Sequence, residues 1–424
     1  MRVLLFTDTA NDVNGVARFV RGLGGAAATA QRELTIVTST RVPVPPGAQA
    51  EHIINLEPRG AHPLPGYAHL EIVAPPVRRL KALARRLAPD AIHVSTPGPV
   101  GATGRYLARR LGIPLLATYH TDFPAYVAHL FGSRLLARGC AHAMRRFYRP
   151  CDTLFVRSPE ARPGVEALGL DPARLVTLAP GIDHAAFNPR FRPPDAAALH
   201  EFWRGYAGLG VDAEAPKILY VGRVSVEKNL PLLVSAWKQV AGGPGERAAP
   251  ARPQLVVVGD GPYLPAMRAA LNGCQAAFLG FRHAGELSTL YAASDLLVFP
   301  SATDTLGQVV MEAQSSGLPV LAADRGGPRG LVNTPTASPL RALAGEASET
   351  GVLLPPEDAP AWARQILRLA RDAPLRARLG AAGARAMAAL PFAASFAQFW
   401  SVHERTVAAW RDAAGARTKK GRTF

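Results

Sequence analysis

The sequence predicts an α/β protein with two Rossmann-like, parallel-sheet domains. Short apolar runs alternate with longer segments of helical periodicity, which is typical of strand–helix–strand units. At 424 residues the chain is too long for one ordinary hydrophobic core. The alternation breaks once, at the Pro-Gly-Ile-Asp sequence of residues 180–183 and the proline-rich stretch after it, and this break predicts a connection between two domains.

The predicted strands are short runs of apolar and β-branched residues. In the first half they lie at residues 3–7, 34–38, 91–94, 115–119 and 153–156, with helical periodicity at 78–87 and 101–111. In the second half they lie at 217–221, 255–258, 277–279, 296–299, 320–322 and 351–353. The predicted domains are residues 1–190 and 191–391, followed by a C-terminal helix at 392–412 that packs back on the first domain and a basic, disordered tail at 413–424.

Composition narrows the class of protein. The formal charge of +16 favours anionic partners such as nucleic acid, anionic lipid headgroups or phosphorylated ligands. The three cysteines are widely separated, which excludes a disulfide framework or a cysteine zinc cluster. No apolar run is long enough to span a bilayer, and the amino terminus resembles a buried strand and not a signal peptide, so we expect a cytoplasmic protein.

The most informative segment is residues 299–319, where a strand, a polar loop and a helix follow one another. Ligands of parallel sheets bind at the carboxyl ends of the strands, so we expect this loop to line a deep cleft between the domains. Gly307 lets a ligand approach the backbone, Gln308 begins the helix, and a helix N-terminus suits a diphosphate. Glu312 could accept hydrogen bonds from a ribose, although Asp304 could also be only a charge at the helix N-terminus and Glu312 a solvated residue.

A second strand end carries two cations. Gly222, Arg223 and Lys228 follow the strand at 217–221, where a diphosphate leaving group needs neutralising, although a solvated basic loop has the same composition. Gly259 lies in another strand-to-helix turn, and with Arg282 it could frame a nucleobase or form an ordinary turn.

The first half offers a matching pair of loops. Gly15 begins a helix after the first strand, where its backbone could close over a phosphate. His120 and Asp122 follow the strand at 115–119, so we expect His120 to face a ligand and not the core, although a capping or structural histidine is the alternative. No histidine or cysteine spacing typical of a metal site occurs, and no metal or other cofactor is expected.

The chain resembles the retaining glycosyltransferase family 4 of the GT-B fold. The resemblance lies in six motifs and their order along the chain: NGV, YHTDFP, PGID, GRVSVEKN, GDGP and SATDTLGQVVMEAQSSGLPV. The TDT and HTDFP details resemble the branch that contains mannosyl-, glucosyl- and sulfoquinovosyl-transferases. The resemblance implies a hexosyltransferase that moves a hexose from GDP-mannose or a UDP-hexose to a lipid or glycan hydroxyl.

The resemblance also implies roles for individual residues. Arg223 and Lys228 bind the donor diphosphate, and Glu312 holds the ribose. The amides of Gly307 and Gln308 face the donor, together with the backbone of Gly15, and His120 contacts the transferred sugar.

One position departs from the family pattern, because Asp304 replaces the first glutamate of its E-x7-E sequence. Aspartate keeps the carboxylate but is one methylene shorter, so we expect activity with altered donor selectivity. The family retains the configuration at the anomeric carbon, and the sequence offers no obvious second carboxylate to act as a nucleophile there. This favours a front-face displacement, in which Arg223 and Lys228 stabilise the departing diphosphate as a metal ion does in other glycosyltransferases.

The acceptor and the competing functions stay open at this point. Two segments, at 78–87 and 134–149, combine basic and apolar residues. They could bind the anionic inner face of a membrane, or they could be ordinary amphipathic helices whose basic faces are solvated. A sugar-nucleotide 2-epimerase on the same fold and a catalytically impaired relative are alternative interpretations. The non-enzyme alternative, a nucleic-acid-binding protein, rests on charge alone, since no recognition-helix or RNP-like motif occurs.

Overall fold

The computed structural model describes residues 1–12, 14–44, 51–64, 67–242 and 252–420. Internal contacts divide the chain into two compact units. The first unit is Met1–Pro180 together with the chain from Phe392 onward, and the second is Gly181–Pro391. The division therefore falls ten residues before the predicted boundary at 190, at the start of the Pro-Gly-Ile-Asp break and not after it.

The described part of the first unit contains nine strands and six α-helices before the chain leaves it. In chain order they are β1 (Arg2–Phe6), α1 (Gly15–Thr29), β2 (Glu33–Thr38), β3 (Ile53–Asn55), β4 (Gly60–Leu64), β5 (Tyr67–Ala74), α2 (Val77–Leu87), β6 (Ala91–Val94), α3 (Pro99–Leu111), β7 (Leu115–Tyr119), α4 (Phe123–Phe131), α5 (Arg134–Tyr148), β8 (Thr153–Val156), α6 (Arg162–Glu166) and β9 (Leu175–Thr177).

The second unit repeats the alternation of strand and helix. Its elements are α7 (Ala196–Arg204), β10 (Lys217–Val221), α8 (Leu230–Gly242), β11 (Gln254–Val258), α9 (Leu264–Ala270), β12 (Ala276–Gly280), α10 (Ala284–Ala293), β13 (Leu296–Phe299), α11 (Gln308–Ser315), β14 (Val320–Ala323), α12 (Pro339–Ala344), β15 (Gly351–Leu354), α13 (Ala359–Arg371) and α14 (Ala373–Ala388). The chain then returns to the first unit in α15 (Phe392–Lys420).

Each unit is organised around one parallel sheet. The first has the order β3-β2-β1-β6-β7-β8-β9 and the second β12-β11-β10-β13-β14-β15. In both, the chain begins in the middle, moves to one edge and then crosses to the other, which is the doubly wound order. The central strands are apolar on both faces because helices cover both sides; β6, β7, β8 and β13 are buried throughout. The predicted α/β class is confirmed.

The strands that the sequence analysis missed lie at the edges of the first parallel sheet or outside it. The strands β3 and β9 have three residues each and form the two edges of the first sheet, so they carry no periodic signal. The antiparallel hairpin β4–β5 stands apart from the parallel sheet.

The last helix differs from its prediction at its carboxyl end. It continues to Lys420, through most of the segment where a basic disordered tail is predicted, and residues 421–424 lie outside the described chain. Alanine, lysine and arginine, which are good helix formers, are frequent in this stretch, and basic residues are favourable at a helix carboxyl end. None of the described helices combines the length and apolar content that crossing a bilayer requires.

Helix α15 packs on the first sheet through a buried pair of histidines. His403 Nδ1 donates to the Phe399 carbonyl at 2.8 Å, so its Nε2 accepts from His93 Nδ1 at 3.1 Å. His93 Nε2 then accepts from the Thr118 hydroxyl at 2.9 Å. This chain of hydrogen bonds requires both rings to be neutral. Burial lowers the pKa of both, and that of His403 falls to about 4.

The histidine pair should make the stability of the protein depend on pH. Unfolded His403 binds a proton below about pH 6.5, whereas the folded ring binds one only below about 4. The unfolded state therefore holds more protons in between, and the free energy of unfolding should fall by roughly 3 kcal/mol as pH drops from 6.5 to 4. In urea titrations across this range, His403→Gln should show a smaller pH dependence than the wild type. His200→Gln, which changes a histidine whose side chain is 44% exposed, should not, and equal slopes for all three proteins would contradict this assignment.

Candidate active site

The carboxyl end of the second unit's sheet carries an ion pair between two loops. Lys228 lies in a short turn after β10, and Asp304 lies in the loop after β13. The lysine Nζ is 2.8 Å from Asp304 Oδ1 and 2.9 Å from Oδ2, so both carboxylate oxygens hold it. Each side chain stays 23% exposed, which leaves the pair accessible to a ligand. The structure thus brings together two residues that the sequence analysis had assigned to separate roles.

Asn229 fixes the loop that carries Lys228. Its backbone is left-handed, with φ 57°, a conformation that asparagine tolerates better than most residues. Its side-chain amide donates to the Pro300 carbonyl at 3.3 Å and to the Pro356 carbonyl at 2.8 Å. It therefore ties the loop after β10 to the loops after β13 and β15. Sequence reasoning missed Asn229, although it directly follows Lys228 in the motif.

Arg223 lies beside a buried carboxylate. Its Nη1 is 4.0 Å from Glu227 Oε1, and the Ser225 hydroxyl donates to the same oxygen at 2.5 Å. The Tyr220 hydroxyl donates to the Arg223 carbonyl at 2.8 Å, and burial, with Asp304 and Glu227 nearby, raises the pKa of Tyr220 well above its usual value. The arginine backbone is thereby fixed, and 30% of its side chain remains exposed. Glu227 is a second residue that sequence reasoning missed.

Close backbone packing explains the glycines of these loops. The Gly222 amide donates to the Val258 carbonyl at 3.0 Å, and the Val224 amide to the Asp260 carbonyl at 2.9 Å. A Cβ on Gly259 would lie 2.0 Å from the Gly222 carbonyl oxygen. Gly222 and Gly259 have φ of 148° and 130°. The nucleobase contact that the sequence suggested for Gly259 stays a prediction, and the structure gives this residue a packing role.

Helix α11 begins where the sequence predicted a helix N-terminus, directly after Gly307. Gly307 precedes it with φ 83°, and no side chain caps the helix, whose first residue is Gln308. Glu312, one turn further, is fully buried and accepts a hydrogen bond from the Tyr291 hydroxyl at 2.8 Å. The Gly327 amide donates to the Asp304 carbonyl at 2.7 Å, which connects the aspartate loop to the segment after β14.

Arg282 has partners of its own. Its Nε lies 3.0 Å from Glu286 Oε1, and the Tyr206 hydroxyl donates to that same oxygen at 2.8 Å. Within the described chain, neither a hydrogen bond nor an ion pair joins Arg282 to Lys228 or Asp304. The role of Arg282 at the donor site stays a prediction.

The predicted residues of the first unit also lie at the carboxyl end of its sheet. Gly15 is exposed and begins α1, which Asn14 caps by accepting from the Ala17 amide at 2.8 Å. His120 follows β7, and its Nε2 lies 2.9 Å from the hydroxyl oxygen of Ser95, a residue that sequence reasoning missed. Burial and then the charge of Arg157 lower the pKa of His120 well below its usual value. The imidazole is therefore neutral at pH 7, with one nitrogen that donates a hydrogen bond and one that accepts.

A depression of about 640 Å³ lies at the amino ends of two strands of the second sheet. Gln254 and Ala276, the first residues of β11 and β12, contribute to its lining. None of the predicted site residues lines it, so the chemistry-bearing groups concentrate at the other end of the strands.

Comparison with known proteins matches both halves of the chain to families. Residues 13–186 match the model described as Glycosyltransferase Family 4, and residues 215–372 match the one described as Glycosyl transferases group 1. A GDP-mannose-dependent alpha-mannosyltransferase of Mycobacterium tuberculosis is 32% identical over 339 residues, which cover 79% of this chain and 81% of that protein. Sulfoquinovosyl transferase SQD2 of Arabidopsis thaliana is 30% identical over 373 residues, which cover 88% of this chain but only 65% of that protein's length.

Solved structures show a likeness in fold. Sucrose-phosphate synthase from Thermosynechococcus elongatus superposes with a TM-score of 0.74 at 23% identity, covering 96% of this chain and 100% of that one. The likeness extends over both units and confirms the predicted fold class.

Proposed function

This chain belongs to glycosyltransferase family 4, and from that premise we propose that it transfers a hexose from a nucleoside-diphosphate sugar to a lipid or glycan hydroxyl, with retention and without a metal. The Lys228–Asp304 pair is the observation that carries the proposal. It places a cation and a carboxylate, each partly exposed, at the strand ends where ligands of parallel sheets bind.

The charges in the second unit suit a donor with a diphosphate and a sugar. Lys228 and Arg223 supply positive charge for the diphosphate, and α11 adds uncapped backbone amides at Gly307 and Gln308. Asp304 keeps acceptor oxygens for sugar hydroxyls while it positions Lys228. Glu312 offers its buried carboxylate to the ribose.

The reaction we propose is a front-face displacement. The bond between the anomeric carbon and the diphosphate oxygen breaks, and its electron pair leaves with the nucleoside diphosphate. The acceptor hydroxyl oxygen bonds to the same face of that carbon, and its proton passes to the departing phosphate oxygen. Lys228 and Arg223 stabilise the negative charge that develops there, so transfer should proceed unchanged in EDTA.

Binding of sugar nucleotides tests this proposal directly. In a thermal-shift panel of UDP-glucose, UDP-galactose, GDP-mannose, UDP and GDP, at least one sugar nucleotide should raise the Tm by roughly 5 °C at saturation. The shift should disappear in Arg223→Ala and weaken in Glu312→Gln, which keeps the volume of the buried side chain. Lys238→Ala, an exposed change in α8, should respond like the wild type. If no sugar nucleotide stabilises the wild type, the proposal fails.

Helix α5 favours a lipid over a soluble acceptor. Its first turn exposes Leu135 by 78% and Leu136 by 53%, beside the basic Arg134 and Arg138. In α2, by contrast, Leu80, Leu83 and Ala84 are buried, and the apolar Val77 is 40% exposed, less than either leucine of α5. The α5 surface therefore has the mixture of apolar and basic residues that binds anionic membranes, and we propose peripheral membrane association through it.

Vesicle flotation should detect this membrane contact. The wild type should float with vesicles that contain phosphatidylglycerol at low salt, and less so with purely zwitterionic ones. The double change Leu135→Glu and Leu136→Glu should lower binding about tenfold or more, because two leucines lose their apolar contact. Leu209→Glu, at an exposed leucine of the second unit, serves as the control. Flotation that is equal in all three proteins would exclude this surface.

A further inference from the structure

Arg157 is a buried cation at the carboxyl end of the first unit's sheet. It directly follows β8, and its side chain stacks on the ring of Phe19, with the guanidinium carbon 3.7 Å from the ring centroid. Only 6% of the residue is exposed. Burial lowers the pKa of the guanidinium to about 9, so the group keeps its charge at neutral pH.

Nothing in the described chain neutralises this charge. The buried Nη1 atom has no hydrogen-bond partner among the described residues. Asp8, which lies two residues after β1 in the same sheet, is engaged with other residues, because its carboxylate accepts from the Thr96 hydroxyl at 2.6 Å and from the Val100 amide at 2.8 Å. A buried charge without a partner is unfavourable, and folded proteins retain one where a ligand supplies the opposite charge.

The surroundings of Arg157 are those of a binding site. His120 packs edge-on against the same Phe19 ring, with the ring centroids 5.4 Å apart, and Ser95 contacts His120. Arg157, His120 and Ser95 follow β8, β7 and β6, three neighbouring strands of one parallel sheet. Their side chains are therefore gathered at the edge where such sheets bind ligands.

We propose that Arg157 binds an anionic group, a carboxylate, sulfonate or phosphate, that one of the two substrates carries in addition to the donor diphosphate. A guanidinium suits such an oxyanion because it presents several N–H groups in one plane. The inference rests on the proposed glycosyl transfer. The anionic group then belongs either to the transferred sugar or to the acceptor.

Two titrations of the full chain separate these sources. The first compares UDP-glucuronate with UDP-glucose. The second adds inorganic phosphate in the presence of saturating UDP or GDP, so that the diphosphate site is already filled. Both use the wild type, Arg157→Gln, Arg157→Lys and the control Arg105→Gln, which also removes an arginine next to an aromatic ring in this unit. Urea unfolding of each variant shows that it is folded.

If the sugar carries the charge, the wild type should bind UDP-glucuronate about 10- to 100-fold more tightly than UDP-glucose. If the acceptor carries it, phosphate should bind in the second titration. In either case Arg157→Gln should abolish the effect, Arg157→Lys should keep part of it and Arg105→Gln should leave it unchanged. If neither effect depends on Arg157, this inference is wrong while the proposed function stands. If no nucleotide binds, the proposed function fails, and phosphate binding without nucleotide still tests Arg157.

Discussion

Replacing Lys228 by alanine should lower kcat/KM for sugar transfer by about 10²- to 10³-fold, the usual effect of removing one preorganised group that stabilises a developing negative charge. Both oxygens of Asp304 hold the ammonium, at 2.8 and 2.9 Å, so it is already in place when the diphosphate departs. Without it, the Asp304 carboxylate loses its partner. Asp304 would then repel the diphosphate, and donor binding should weaken together with kcat.

Three further variants separate charge from position. Lys228→Arg keeps the charge on a longer, planar group, so activity should recover only in part. Asp304→Asn keeps the size of the side chain but releases Lys228, so it should cost activity even though it removes a negative charge from the site. Lys238→Ala should leave the activity unchanged.

A double-mutant cycle of Lys228→Ala with Asp304→Asn should be strongly non-additive, because the two side chains act as a pair. Additive losses would mean that the pair does not act as a unit.

Much of this fold could be predicted because its strands are buried on both faces. Such strands appear in the sequence as continuous apolar runs, and Ala91–Val94, Leu115–Tyr119, Thr153–Val156, Lys217–Val221 and Leu296–Phe299 have the predicted bounds. The edge strands β3 and β9, of three residues each, have too few residues to show a pattern. The change of unit at Pro180 depends on tertiary contacts, which composition does not reveal.

The candidate site could be predicted in position but not in its pairings. Parallel strands end at a common edge, so the sequence predicts Lys228 and Asp304, which are distant in the chain, at the ends of strands of one sheet. That they hold one another, and that Glu227 lies beside Arg223, depends on loop conformations. Asn229 sets one of these with its left-handed backbone. Arg157 gave no signal in the sequence, because an arginine after a strand becomes notable only when it is buried without a partner.

Gly259→Ala should lower the free energy of unfolding of the second unit by about 3 kcal/mol or more. Two costs add. The residue has φ 130°, a conformation that an L side chain adopts only with strain of about 1–3 kcal/mol. The new Cβ would also lie 2.0 Å from the Gly222 carbonyl oxygen, which is backbone and cannot turn aside as a side chain could. Urea unfolding measures the change, and Gly208→Ala, where a Cβ would have open space around it, should stay within about 0.5 kcal/mol of the wild type.

The same substitution should weaken donor binding by a route that stability alone does not explain. The loops after β10 and β11 approach through Gly222 and Gly259, and Arg223 follows the first of these glycines directly. To admit a Cβ, the loop after β10 must move, and the Arg223 guanidinium moves with it. Gly259→Ala protein that is still folded, at low temperature and without urea, should therefore bind the sugar nucleotide more weakly than Gly208→Ala. If it binds as tightly as the wild type, the position of Arg223 does not depend on this contact, and Gly259 serves packing alone.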